Sequence, residues 1–313
     1  MDIEYLLFLQ NFRNSINDAL TPFMEGISFF GVSYIILLPA FVYWCISKKQ
    51  GLFTFFALRI SHLINALVKL TACVYRPWIK DSRILPAGNA IATAGGYSFP
   101  SGHTMMTVPI YGSLAMFSKK IKCLCVLFVL AILTTMFSRN YLGVHTPQDV
   151  LVGFVLGLLS IYITAKMFAY IERNPEKENK VLTCLFIIAL AGFAYVNLKP
   201  YPMDYVNGKL LVDPNKMTID SWGDIGGLMA LIVMHCIEKR FVKFSATGLN
   251  FKGVVLCLIG LIPLGLMIYG LKPIIVSFLG VHAGRLVYET TLTFYIFVFW
   301  PLVLKMFGYS EKN

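Results

Sequence analysis

An all-α fold, built as a polytopic bundle of transmembrane helices, is predicted by three features of this 313-residue chain. Hydrophobic residues make up 57% of it and charged residues only 14%, against roughly 25% charge in soluble domains. The mean hydropathy is +0.70. Apolar runs recur from about residue 21 to 308, several of them reaching the roughly 20 residues that cross a hydrocarbon core. They are continuous and rich in Leu, Ile and Phe, without the alternation of barrel strands.

The elements follow in chain order. Residues 1–20 mix Ile3, Leu6, Leu7, Leu9 and Phe12 with Asp2, Glu4, Arg13 and Asp18, the pattern of an amphipathic helix lying in the membrane interface. No basic stretch precedes a short apolar segment with a small-residue cleavage site, so no removable signal peptide is expected, and the first true span would act as the insertion signal. Spans are expected near 24–46, 52–74, 104–118, 123–138, 149–170, 181–198, 222–237, 253–271 and 290–307. The third and fourth are short. Residues 199–221, with Pro200, Pro202, Asp204, Asn207, Gly208, Asp213 and Pro214, read as a polar loop of turn-forming composition. There is no internal repeat, which excludes a solenoid.

Charge orients the bundle. If the spans alternate, one face carries twelve Lys and Arg in short loops, among them Lys48, Lys49, Lys119, Lys120, Lys122 and Lys239, and the other face carries eight outside the polar clusters described next. The positive-inside rule then puts the clusters on the extracytoplasmic side. The net charge of +11 needs no nucleic acid; it reflects this loop bias and attraction to anionic lipid. The seven cysteines sit mostly inside apolar runs and lack both the spacing of a zinc site and a disulfide framework.

Three polar clusters interrupt the apolar chain. The first is Lys69 followed by Arg76-Pro77. Lys69 continues a stripe with Ser61 and Asn65 at i, i+4 spacing, which turns one face of that helix toward a bundle interior or a water-filled cavity; the ordinary alternative is snorkelling to the interface. Pro77 cannot continue the helix and ends it. The second is Pro100-Ser101-Gly102-His103, directly before the third span. A helix N-terminus attracts phosphate, and Gly102 lets the backbone approach an anion closely. Ser101 also suits simple N-capping. The third is Ser138-Arg139, His145 and Asp149. Thr146-Pro147-Gln148-Asp149 reads as a helix start with Asp149 in a capping box. The same turn brings Asp149 within reach of His145, where a carboxylate fixes the imidazole tautomer.

In order and spacing these clusters resemble the three-part signature of the type 2 phosphatidic acid phosphatase superfamily of membrane lipid phosphatases, with every fixed position of that signature present. The likeness runs from about residue 20 to 198 and implies a six-span phosphatase core over 21–198, with 199–313 as a C-terminal transmembrane extension of three further spans. It implies His145 as a nucleophile forming a phosphohistidine, Asp149 as its orienting carboxylate, and His103 as the acid that protonates the leaving alkoxide and then activates water. Lys69, Arg76, Arg139, Ser101 and the Gly102 N–H would hold the phosphate oxygens. No metal or cofactor is required, because fixed cations supply the charge. The partners expected are a membrane lipid phosphate and the bilayer. The loop from Pro77 to Pro100 would roof the site.

Two alternatives accompany this expectation: an undecaprenyl or other isoprenoid diphosphate phosphatase running the same chemistry, and a transporter that binds a lipid phosphate or other anion without hydrolysis. The C-terminal third offers secondary candidates in Asp224, His235, His282, Arg285 and Glu289. Arg285 and His282 would lie on the catalytic side, where Arg285 is a candidate for contact with the substrate. Glu238 and Lys239 read as a solvated loop, and His282 as an ordinary loop residue.

Overall fold

The computed structural model describes residues 2–206 and 208–311; Asn207, within the segment read as a loop, lies outside them, as do Met1, Lys312 and Asn313. The chain is all-α. Its helices are α1 (Asp2–Ser15), α2 (Thr21–Ser33), α3 (Leu37–Phe41, continued by a π-turn over Val42–Ile46), α4 (Lys48–Ala72), α5 (Pro77–Lys80), α6 (Gly102–Phe117), α7 (Lys122–Tyr141), α8 (Pro147–Arg173), α9 (Glu178–Leu198), α10 (Pro214–Ile237), α11 (Phe251–Leu279), α12 (Val281–Phe294) and α13 (Trp300–Met306). Among the described residues, six helical segments are long and apolar enough to cross a membrane: Lys48–Lys80, Lys122–Tyr141, Pro147–Arg173, Pro175–Leu198, Phe251–Leu279 and Val281–Met306.

α4 is the axis of the bundle. Every residue from Gly51 to Leu63 is buried, and the apolar core around it joins Phe55, Phe56 and Ile60 to Ile225 and Leu228 of α10 and to Leu292 of α12. The C-terminal helices therefore share one core with α4. α7, α8, α9 and α11 lie outside and expose Leu130, Val155, Ile188 and Ile262, the apolar belt that a bilayer would cover.

Several expectations change. The run 24–46 is two helices with a break over residues 34–36. Pro39 explains it: its ring excludes the carbonyl of Ile35 and it has no N–H to give, so the helix ends at Ser33 and restarts at Leu37. The stretch 104–118 is a helix of 16 residues, and 222–237 belongs to a 24-residue helix that carries Lys216, Asp220 and Asp224. Residues 199–221 are a loop only in part. Tyr205–Val206 pairs antiparallel with Lys209–Leu210, and α10 begins at Pro214 with Asp213 as its N-cap, accepting from the Asn215 N–H at 3.0 Å. Asp-Pro here is a cap followed by a first-turn proline rather than a turn. Glu238 is not solvated. It is fully buried and accepts from Lys48 Nζ at 2.7 Å and from the Phe244 N–H at 3.2 Å. His282 lies in the first turn of α12, 3.2 Å from Thr218 Oγ1.

α1 docks on the end of the bundle that holds the polar clusters. Arg13 is buried there and donates to the carbonyls of Leu85 (2.8 Å) and Tyr141 (3.3 Å). α6 and α8 approach closely because of glycine: a Cβ at Gly157 would lie 2.7 Å from Val108 Cβ. Gly157→Leu should therefore lower thermal stability in detergent by about 1–3 kcal/mol or more, the cost of overpacking a close helix contact. An unchanged Tm would show that the two helices do not meet at this glycine.

Candidate active site

The sequence assembles the site by ending and starting helices at one end of the bundle. α4 terminates at Ala72, before Pro77, because Cys73 takes a left-handed conformation (φ 48°) and returns its N–H to the Lys69 carbonyl. Arg76 is extended (φ −67°, ψ 153°), as a residue before proline should be. The following loop folds back over it: the Ser98 N–H reaches the Val74 carbonyl at 2.7 Å.

Two cations hold that loop. Lys69 Nζ donates to the carbonyls of Tyr97 (3.2 Å), Ser98 (3.3 Å) and Pro100 (2.5 Å), which accounts for the three donors of an ammonium. Arg76 donates from Nε to Gly96 O and from Nη2 to Gly95 O, both at 3.1 Å, and from Nη1 to Val144 O at 2.9 Å. The loop between Pro77 and Pro100 thus closes over one side of the site, with Gly95 in the cavity wall.

The third cluster is built on the turn between α7 and α8. Gly143 (φ 72°) takes the left-handed conformation that reverses the chain. The Val144 and His145 N–H groups return to the Arg139 carbonyl at 3.2 and 3.3 Å, and Asn140 Nδ2 donates to His145 O at 2.9 Å. Asp149 makes both contacts that the turn predicts. Its carboxylate accepts from the Thr146 N–H (2.8 Å) while Thr146 Oγ1 accepts from the Asp149 N–H (3.3 Å), a complete capping box. The same Oδ2 faces His145 Nδ1 at 3.4 Å.

His145 is the pivot of this geometry. Its Nε2 lies 2.9 Å from Arg76 Nη1. A guanidinium can only donate, so Nε2 is the acceptor nitrogen and the proton sits on Nδ1, toward Asp149. Burial first, and then the Arg76 guanidinium, hold the imidazole pKa well below its usual range. The ring is therefore held neutral, with the Nε2 lone pair accepting from Arg76.

Ser98, which no sequence pattern singles out, completes the arrangement. Its hydroxyl donates to Asp149 Oδ2 at 2.5 Å and lies 3.4 Å from His145 Nδ1. Ser28 of α2 is a second unforeseen partner, accepting from Arg139 Nη1. Arg139 is fully buried, and its Nε and Nη2 have no partner.

A cavity of about 480 Å³ gathers these groups. Lys69, Arg76, Gly102, His103 and His145 line one end of it. Gly102 opens to it: the nearest atom to a Cβ placed there is Asn65 Nδ2, 3.9 Å away. His103 lies within electrostatic reach of Arg139, His145, Arg76 and Lys69. Ser101 is fully buried and turned into its own helix, its Oγ accepting from Thr104 Oγ1 at 3.1 Å and capping Thr104 N–H. Ser101, Arg139 and Asp149 stand behind the groups of the wall. Among the described residues, no three His, Cys, Asp or Glu side chains come together as metal ligands.

Residues 50–173, the stretch that contains all three clusters, match the PAP2 superfamily. The chain is 28% identical over 180 residues to phosphatidylglycerophosphatase B of Bacillus subtilis, covering 55% of this chain and 83% of that protein. It is 27% identical over 223 residues to the lipid A 4'-phosphatase of Porphyromonas gingivalis, covering 63% and 92%. A match to a probable sphingosine-1-phosphate phosphatase of Dictyostelium discoideum is 25% identical over 203 residues, 60% of this chain and 48% of that protein. No solved structure matches the chain. These relatives support a membrane lipid phosphatase.

Proposed function

We propose that the protein hydrolyses a phosphomonoester of a membrane lipid through a phosphohistidine on His145, without a metal. One observation carries this reading: a buried, neutral imidazole in the cavity wall, with Nδ1 toward Asp149 and Ser98 and Nε2 against the Arg76 guanidinium, which also lines the cavity. Nε2 attacks phosphorus in line as the bond to the leaving alcohol breaks. Burial, then the neighbouring cations, lower the pKa of His103; it takes up a proton when the anionic phosphate binds beside it and gives that proton to the departing alkoxide. It then takes a proton from the water that cleaves the P–N bond, releasing inorganic phosphate and restoring His145.

The remaining groups act by charge and position. Arg76 bears on the equatorial oxygens, where charge spreads in the transition state, and Arg139 adds its charge from behind the wall. The amides of the first turn of α6 at Gly102 add a helix N-terminus on the same side. Lys69 holds the loop that carries Ser101 and Gly102 and adds its charge to the pocket. Asp149 fixes the tautomer and balances the cationic phosphoimidazole. We read this pocket as extracytoplasmic, a reading that the excess of Lys and Arg in the opposite loops supports.

Phosphate release by the purified protein in detergent tests the reading, with phosphatidate, a sphingoid-base phosphate, and isoprenoid mono- and diphosphates as substrates. Release from a monoester, undiminished by a chelator, is the expected result. Binding of these lipids with no release from any would favour an anion-binding carrier, and release from the diphosphate alone would favour a diphosphatase.

A further inference from the structure

We propose that the C-terminal helices add a second polar subsite to the same cavity, one that receives hydroxyl or ammonium groups on the leaving alcohol of the substrate. The proposal rests on the phosphatase reading, since it assigns the part of the lipid beyond the reacting phosphorus.

α4 is the wall the two ends share. Arg59, His62, Asn65 and Lys69 all line the cavity, and their spacing of three, three and four puts them on one helical face. At 1.5 Å per residue, His62 sits about 10 Å from Lys69 along the axis. Opposite them, α10 contributes Asp220 and Asp224, and α12 contributes Arg285 and Glu289. Lys69 lies within electrostatic reach of Asp149 on one side and of Asp220 and Asp224 on the other, so the subsite adjoins the phosphate end.

This inner cluster is built into the fold. Glu289 Oε2 accepts from Arg59 Nη2 at 2.8 Å, and Oε1 faces Arg285 Nη1 at 3.4 Å. α10 makes room for both guanidiniums with glycine. A Cβ on Gly223 would meet Arg285 Nε at 2.6 Å, and one on Gly227 would meet Arg59 Nη1 at 2.4 Å. The two arginines thus lie flat against one helix, a turn apart.

The groups left over define the ligand. His62 is only 8% exposed, lines the cavity, and its Nδ1 makes no hydrogen bond. Asp224 Oδ1 stands 3.4 Å from that nitrogen. Asp220 has no hydrogen-bond or ion-pair partner among the described residues. At the phosphate end, Lys69, Arg76 and Arg139 outnumber Asp149. At the inner end, Arg59, Arg285 and Lys272 are matched by Glu289, Asp220 and Asp224, so no surplus of positive charge awaits a second phosphate. An anion there would lie against two carboxylates, and like charges brought together are penalised. Carboxylates with spare acceptor capacity call instead for donors: an ammonium or hydroxyls carried near the scissile phosphate.

The test measures kcat/KM on a sphingoid-base phosphate, whose leaving alcohol bears an ammonium and a hydroxyl, and on farnesyl phosphate, which bears neither. Both are read on the same preparation, so any partial misfolding of a variant cancels in the ratio. Asp224→Asn and Asp220→Asn should each lower that ratio about tenfold or more, as expected when one charge-assisted hydrogen bond is lost. An unchanged ratio in both variants would overturn the subsite. So would farnesyl diphosphate becoming the better substrate when the carboxylates are removed, since that would put a phosphate there. A second arm needs no turnover: calorimetric binding of the sphingoid-base phosphate to His145→Ala protein should weaken by a similar factor when Asp224→Asn is added. Asp224-dependent binding by a wild type that releases no phosphate would sustain the subsite and sink the hydrolase reading. An active wild type with an unchanged ratio would sink the subsite alone.

Discussion

Replacing His145 with alanine should reduce turnover of the best lipid phosphate by roughly 10⁴-fold or more, the scale on which enzymes lose a covalent nucleophile. At 1.36 kcal/mol per tenfold, that is at least about 5 kcal/mol of barrier. The loss should not come from collapse of the pocket. Arg76 keeps its bonds to Gly95, Gly96 and Val144 when the ring is removed, and the capping box of α8 does not involve the imidazole. Lipid binding to the variant should therefore survive while chemistry fails. Quenching the wild type in alkaline detergent with ³²P-labelled substrate should trap an acid-labile, base-stable phosphoprotein that His145→Ala lacks. Hydrolysis at the parental rate by His145→Ala would remove this residue from the mechanism.

The geometry of the candidate site was legible in the sequence wherever it coincided with local signals. Thr146-Pro147-Gln148-Asp149 announces a helix start, and the same i, i+4 geometry that forms the cap brings Asp149 to His145. Ser101 before Gly102 marks the start of α6. Ser98 was not legible, because a serine in an irregular loop has no periodicity; it finds Asp149, 51 residues away, only through the fold-back of that loop. Ser28, 111 residues from Arg139, is hidden for the same reason. Glu238 misled in the opposite sense. A Glu-Lys-Arg run looks solvated until Lys48, 190 residues away, arrives to pair with it. The subsite of Arg59, His62, Asp224 and Glu289 belongs to this class too: its residues come from three helices, and only the packing of α4 against α10 and α12 makes them neighbours. Helix ends are local and could be read; pairings across the bundle could not.

His103→Ala should separate the two halves of the reaction. On a lipid phosphate the variant should lose about 10²–10⁴-fold, the usual contribution of a positioned acid–base group, because an alkoxide leaves poorly without a proton. An aryl phosphate with an acidic phenol as its leaving group needs no such proton. His145 should then still be phosphorylated, because its Nε2 is oriented by Asp149 and Ser98 and not by His103. The second half still lacks its base, since the attacking water has no acceptor for its proton. The variant should therefore release one burst of phenol per active site and then stall, with phosphohistidine accumulating above the wild-type level. Rapid-quench measurement of burst amplitude and of labelled protein reads both quantities. Equal fractional losses on lipid and aryl substrates, with no burst and no trapped phosphoenzyme, would mean that His103 only holds the phosphate and that the proton travels by another route.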